Sequence, residues 1–316
     1  MRTHCGQSEL FCAVPVQSGL SKNTDLMNDT LQRFMFEGAP IRGEVAHLDA
    51  TWRAVLDRHE YPRVLRNVLG ELMAAGALLA ATLKFEGSII LQLQGNGPVK
   101  LIVVECTSEK TLRATAKWGG DLADDAGLGD LLGEGRFVIT LVPGEGRQGY
   151  QGVVDIDPAG VAASLEHYMQ TSEQLDTRLW LAAGDERAAG LLLQKLPAGE
   201  EPDEDSWNRA TRLAETITEP ELLALPARNL LHRLYHQEDI RLFEPRPVSF
   251  RCSCSGERVS TMLRMLGYAE VRSILEERDT VEVTCEFCNR AYRYDRVDAE
   301  QLFAAAHPAP PASTRH

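Results

Sequence analysis

The chain has 316 residues, 44% of them hydrophobic, which suits two domains of ordinary size or one domain plus a small module. Its 46 acidic residues outnumber 33 basic ones, giving a net charge of −13. That balance argues against nucleic-acid binding as the main task, which leans on a basic footprint. The most apolar stretch, Leu72 to Leu83, falls short of the roughly 20 residues that cross a bilayer, so no membrane association is expected.

Residues 1–23 read as a disordered extension that carries Cys5 and Cys12. They contain no apolar run with a cleavage site after it, so no export signal is expected and the compartment is the cytoplasm. In a reducing cytosol, seven cysteines are expected to bind metal or react rather than form structural disulfides.

From 24 to 196 strands and helices mix. Pro62 opens a long helical stretch reaching about Phe85, with Val64, Leu65, Val68, Leu69 and Leu72 at helical spacing. Ser88–Gln94 and Val99–Cys106 read as strands joined by the turn Gly95-Asn96-Gly97-Pro98. Thr111–Trp118, Arg136–Val142, Tyr150–Ile156 and Thr177–Ala182 are further strands. Pro158–Gln170 and Glu186–Leu196 read as helices. Strands in hairpin succession, with helices between groups, give an α+β domain with antiparallel sheet.

Residues 197–245 begin in an acidic Pro/Gly loop and continue as a helical linker. Asp205 or Ser206 is placed to cap a helix carrying Trp207, Ala210, Leu213, Ala214 and Ile217 on one face. Pro220 and Pro226 each start another short helix, the last marked by Leu230, Leu231 and Leu234. These helices have one apolar face each and no core of their own, so they must bury that face on something else.

Residues 246–306 form a small C-terminal domain holding Cys252-x-Cys254 and Cys285-x-x-Cys288. Two close thiol pairs separated by a folded insert suit one tetrahedral Zn²⁺. Val281 and Val283 alternate into the second pair, and Ala291–Tyr294 reads as the returning strand, so Cys285–Cys288 is the turn of a hairpin. Val259, Met262, Leu263 and Leu266 share one helical face; Val271, Ile274 and Leu275 share another. Asp298 with Gln301 resembles a capping box for a last short helix. A thioredoxin-like site wants a helix after its CxxC, and here a strand follows. A static structural zinc site satisfies the same spacing. A switch is favoured if oxidant reaches the thiolates, because a module this small has little core. Structural zinc contributes about 10–16 kcal/mol to such modules, against a domain stability of about 5–15 kcal/mol. Residues 307–316 form a Pro-rich tail read as disordered.

Weaker signals read as structural. Gly144-x-Gly146-x-x-Gly149 is followed by a strand, which makes it a hairpin loop rather than a dinucleotide site. His232 and His236 lack a Glu partner for an HExxH site, and Cys106 sits in an apolar strand. Tyr168, Glu173 and Gln174 form no catalytic constellation, and no enzyme activity is expected. A zinc-dependent nucleic-acid or protein-interaction module would need a basic surface. Arg251, Arg258, Arg264, Arg272, Arg290 and Arg293 are interleaved with acidic residues instead. A thiol oxidoreductase would turn over a dithiol substrate.

Phe243–Asp295 contains FEPRPVSFRCSCSGERV, LGYAEVRSILEE and EVTCEFCNRAYRYD, and LLHRLYHQEDIRLFEP leads into it. These runs closely resemble the redox-regulated holdase chaperones of the 33-kDa heat-shock protein family. Ile41–Leu48, Leu91–Val104, Tyr168–Thr177 and Gly190–Pro197 resemble further landmarks of that family, and the likeness spans roughly Thr24 to Ala305. The extension with Cys5 and Cys12 departs from it. The resemblance implies a bacterial cytosolic chaperone that is inactive when reduced and zinc-bound through Cys252, Cys254, Cys285 and Cys288. It implies that oxidation pairs Cys252 with Cys254 and Cys285 with Cys288, releases the zinc and unfolds the module and linker. It further implies that the active form is a homodimer and holds unfolding client proteins without ATP.

Overall fold

The computed structural model describes residues 29–82, 86–144, 148–197 and 204–304. The expectations for Cys5, Cys12 and the two termini fall outside these residues. In chain order the first part comprises β1 (Thr30–Phe36), β2 (Ile41–Leu48), α1 (Ala50–Leu56), α2 (Arg63–Thr82), β3 (Gly87–Gln94), β4 (Val99–Thr107) and β5 (Thr111–Trp118). It continues with α3 (Leu128–Leu132), β6 (Arg136–Pro143), β7 (Tyr150–Asp155), α4 (Val161–Thr171), β8 (Thr177–Ala183) and β9 (Ala188–Lys195).

Two sheets result. The first runs β1-β2-β9-β8 and the second β5-β4-β3-β6-β7, each antiparallel throughout. Helix α2 lies between them, in contact with β2, β8 and β9 on one side and β3, β4 and β5 on the other. Its Ala- and Leu-rich sequence favours the helix and lets both sheets approach closely. It is long and apolar enough to cross a membrane, with a mean hydropathy of 1.4, but 78% of that stretch is buried inside the protein. Its apolar surface is therefore spent on the core. The Gly95–Pro98 turn packs on α3: Gly97 N donates to Leu132 O at 2.9 Å, and a Cβ on Gly95 would overlap the Leu132 backbone.

One element differs in type from expectation. The segment read as a helix at Glu186–Leu196 is strand β9. Ala188–Gln194 is buried at every position, with Ala188 and Leu192 in the inter-sheet core and Ala189, Leu191 and Leu193 facing the opposite way. A strand covered on both faces loses the alternation that identifies strands, and its Ala, Leu and Gln content then mimics a helix. The described part of the long helix runs Arg63–Thr82, and the remainder of its expected span, 83–85, lies outside the described residues.

The second part explains that two-sided burial. Helices α5 (Glu204–Ala214), α6 (Glu219–Ala224) and α7 (Ala227–Tyr235) cover the outer face of the first sheet. Ala210, Ala214, Leu222, Leu230, Leu234 and Tyr235 pack against Phe34, Phe36, Val45, Leu191 and Leu193. Pro220 sits in the first turn of α6 and Pro226 immediately before α7, as the sequence suggests. Asp205 and Ser206 lie inside α5 rather than capping it.

The chain then lines the sheet edges. β10 (Ile240–Leu242) and β11 (Arg246–Pro247) pair antiparallel with β1, and β12 (Ser249–Phe250) pairs parallel with β5. A C-terminal module follows: α8 (Gly256–Leu266), α9 (Tyr268–Arg278), β13 (Val281–Thr284), β14 (Ala291–Tyr294) and α10 (Arg296–Ala304). Its buried core comprises Leu263, Val271, Leu275, Val281, Ala299 and Leu302. Met262 and Leu266, expected to share the buried face with Leu263, are 42% and 49% exposed. The capping box of α10 pairs Asp295 with Asp298, three residues before the expected one: Asp298 N donates to Asp295 Oδ1 at 2.8 Å and Asp295 N to Asp298 Oδ2 at 3.2 Å.

Candidate metal centre

Cys252 and Cys254 leave β12 just where it separates from β5, and Ser255 then caps α8 by accepting from Arg258 N at 3.2 Å. Cys285 and Cys288 occupy the tight turn joining β13 to β14. Asn289 closes that turn in the left-handed region at φ 57°, which Asn tolerates better than most residues. Its N–H donates to Cys285 O at 2.8 Å, and Cys285 N donates to Arg290 O at 3.0 Å. The hairpin turn foreseen from the sequence is thus a knuckle that presents two sulfurs side by side.

The four Sγ atoms lie within 4.8 Å of one another. The Cys252–Cys285 and Cys254–Cys288 separations are 3.6 and 3.4 Å. Four thiolates around one tetrahedral ion, each about 2.3 Å from it, stand about 3.8 Å apart, so the cluster can hold a metal ion of the size of zinc. The donor set points the same way, because four soft sulfurs favour zinc over the hard cations that take oxygen. Among the described residues these four form the only such group of His, Cys, Asp and Glu side chains.

The electrostatics also call for a cation. Burial raises the Cys254 thiol, but donation from the Tyr292 hydroxyl at 3.2 Å and from neighbouring sulfurs outweighs it and brings the group down to about 7. Burial and the contact with Cys254 push Cys288 up to about 12, and burial raises Cys285. The first proton leaves readily and the last resists, because each new thiolate faces those already formed. A dication removes that resistance. The sulfurs are half-buried, and a cleft lined by Glu105, Thr107, Arg113, Arg251, Cys252 and Cys254 opens beside them.

The other residues weighed from the sequence are elsewhere and structural. Cys106 is fully buried in β4, and burial pushes its thiol up to about 12. His232 and His236 are exposed on and just beyond α7. Tyr168 is buried and donates to Glu173 Oε1 at 2.7 Å. Gly144 and Gly149 flank the β6–β7 hairpin, as expected, and Gly146 lies outside the described residues. Arg272 pairs with Glu276 and Arg293 with Glu282, so the basic residues of the module are partly neutralised. Tyr292, Arg113 and Phe287 were not singled out by sequence. Tyr292 stands in a strand that was, but spacing does not say which face meets the sulfurs.

The family model described as Hsp33 protein matches residues 29–295. The chain belongs to the Hsp33 family. It is 51% identical over 292 residues to the 33 kDa chaperonin of Methylobacillus flagellatus, covering 92% of this chain and 99% of that one. With the 33 kDa chaperonin of Chromobacterium violaceum it shares 53% identity over 278 residues, covering 87% and 94% of the two chains. The crystal structure of the 33 kDa chaperonin from Thermotoga maritima superposes with a TM-score of 0.78 over 89% of this chain and 100% of that one. At 20% identity that likeness shows the shared Hsp33 fold. Membership of the Hsp33 family makes the protein a heat-shock chaperone, which binds unfolded client proteins, and nothing in that role requires catalysis.

Proposed function

We propose that this Hsp33 chain is a redox-regulated, ATP-independent holdase of the cytoplasm, switched by Cys252, Cys254, Cys285 and Cys288. In the reduced state the four thiolates hold one Zn²⁺, which supplies the cross-link that the module's small core lacks. Peroxide takes two electrons and two protons for each disulfide formed and leaves as two waters. Cys252 pairs with Cys254 and Cys285 with Cys288, as in the resemblance to the family. Sulfurs bonded to each other no longer serve as thiolate ligands, so the site lets the ion go. The module then unfolds, the strands β10, β11 and β12 lose their anchor, and the linker helices α5, α6 and α7 loosen. The apolar face beneath them, built on Phe34, Phe36, Val45, Leu191 and Leu193, becomes available to clients, with the active form a homodimer.

The observation that carries this reading is the placement of the four sulfurs. They lie together in a module whose buried cluster has six residues, at the end of a segment that lines two sheet edges next to the covered apolar face, which is where a metal cross-link would matter most. The test is to treat zinc-loaded protein with peroxide at raised temperature and follow zinc release alongside suppression of client aggregation. Both are expected to rise together. Zinc release with no gain in suppression would refute the holdase reading.

A further inference from the structure

The module rests on the core through few contacts, and most of them converge on the metal knuckle. Lys117 Nζ meets Glu286 Oε1 at 2.6 Å, His59 Nε2 lies 2.8 Å from Glu286 O, and Asn289 Nδ2 donates to Arg58 O. Lys117 and Glu286 are each about half exposed, at 51% and 56% for the side chains, so their ion pair is weak in water. The Arg251–Glu109 pair, at 3.7 Å, is more exposed still.

Arg113 is different. It lies on β5 one residue beyond Leu112, whose Cα partner on β12 is Phe250, so the parallel pairing delivers Cys252 beside it. Its side chain is only 17% exposed. Its Nε donates to Glu105 Oε2 at 2.7 Å, which fixes the plane of the guanidinium. Nη1 points to Cys252 Sγ at 3.9 Å, and the guanidinium carbon sits 4.2 Å from the centre of the Phe287 ring. One group of the core therefore touches both halves of the cluster: a ligand sulfur from the first cysteine pair and the residue between the two cysteines of the second.

We propose that Arg113 is the positioning residue that couples the state of the metal site to the core. Its two contacts on the module side, Cys252 and Phe287, both depend on turns that the four cysteines pin. A metal-bound Cys252 thiolate carries negative charge that attracts the guanidinium, and a sulfur in a disulfide carries none. Phe287 is held over the guanidinium by the turn that Cys285 and Cys288 pin. Loss of the ion frees both cysteine-bearing turns, so the sulfur contact and the ring contact to Arg113 are lost together. Undocking of the module then frees the β12–β5 pairing, where Ser249 N donates to Lys110 O at 3.1 Å and Arg251 N to Leu112 O at 3.0 Å. This coupling gives the proposed switch its route to the core, yet its test involves neither clients nor oxidant.

The experiment compares amide exchange at Ser249 and Arg251 in full-length reduced protein, with zinc bound and after chelation. In the parent, chelation is expected to accelerate exchange by about tenfold or more, the loss expected for one charge-assisted hydrogen bond. In Arg113→Gln, exchange is expected to be fast already with zinc bound, so the ratio between the two states falls toward one. Phe287→Leu alters the module side of the contact without touching the sheet and should lower the ratio in the same direction. A residue that merely supports β5 would shift both states equally and leave the ratio unchanged. An unchanged ratio in both variants, with zinc retained, overturns the proposal. Failure of the holdase reading would instead be seen in the aggregation assay, with this ratio unaffected.

Discussion

Gly43 shows how a single residue can be dictated by its cross-strand partner. It stands opposite Phe34 in the β1–β2 ladder, and a Cβ there would overlap the buried Phe34 ring. The ring lies across the glycine on the face that the linker helices cover. Gly43→Ala must push it into Phe36 or Tyr235, whose rings are 6.1 and 6.3 Å away. Overpacking of this kind costs about 1–3 kcal/mol. The urea midpoint should fall accordingly, with an unchanged slope, and an unchanged midpoint would show that the ring relaxes freely. At this scale the metal site was half legible from sequence. The four cysteines announce themselves by spacing, because a tetrahedral ion needs paired thiolates on tight turns. Tyr292 and Arg113 do not, because their roles depend on strand facing and on a contact across 139 positions of sequence.

Among elements, hairpins were the most readable. Gly95–Pro98 predicts the β3–β4 turn because close packing on α3 demands glycine there, and β13–β14 follows from alternation around the CxxC. β9 has the local pattern of a helix because the linker helices cover its second face, a tertiary fact no local pattern carries. Helix α6 makes the same cover sensitive to pH. His47 on β2 is 4% exposed and lies 3.2 Å from Leu222 O, which requires the Nε2–H form as donor. Burial lowers His47 from 6.5 to about 4. Between those values the unfolded chain binds the proton that the folded one refuses. Stability from this group is therefore complete above pH 6.5 and is lost, by up to about 3 kcal/mol, as pH falls toward 4. Glu71 on α2 runs the other way. Burial, then the charge of Glu219 at the start of α6, raises it to about 7, so the folded state holds a proton that the unfolded state releases, and stability falls as pH rises from 4.5 to 7. Urea unfolding across pH should separate the two. Glu71→Gln is expected to stabilise at pH 8 and to change little at pH 4, whereas His47→Gln should flatten the loss on the acid side. Parallel pH profiles for parent and variants would rule out both assignments.

The whole molecule divides its stability unevenly. The two sheets and α2 bury a continuous core from Leu31 to Val248, and the linker helices add a second core on the outer face. The module's core cluster has six buried residues, of which Ala299 is the smallest, and its helices expose Met265, Leu266 and Tyr268. A segment of this size with so little apolar burial does not offset its own chain entropy, which for small domains is the usual reason to recruit a metal. Chelation of reduced protein should therefore unfold residues 252–304 while the two-sheet core stays folded. Limited trypsin digestion would read this directly. Cleavage is expected first at Arg258, Arg264, Arg272 and Arg278, all of which lie in helices α8 and α9 of the folded module. A fragment ending near the β10–β12 strap should persist, because Leu31 and Phe34 anchor β1 from inside and need nothing from the module. Restoring zinc before digestion should protect the same four sites. Equal cleavage with and without the ion would mean that the small core suffices and that the four sulfurs do not hold the module together.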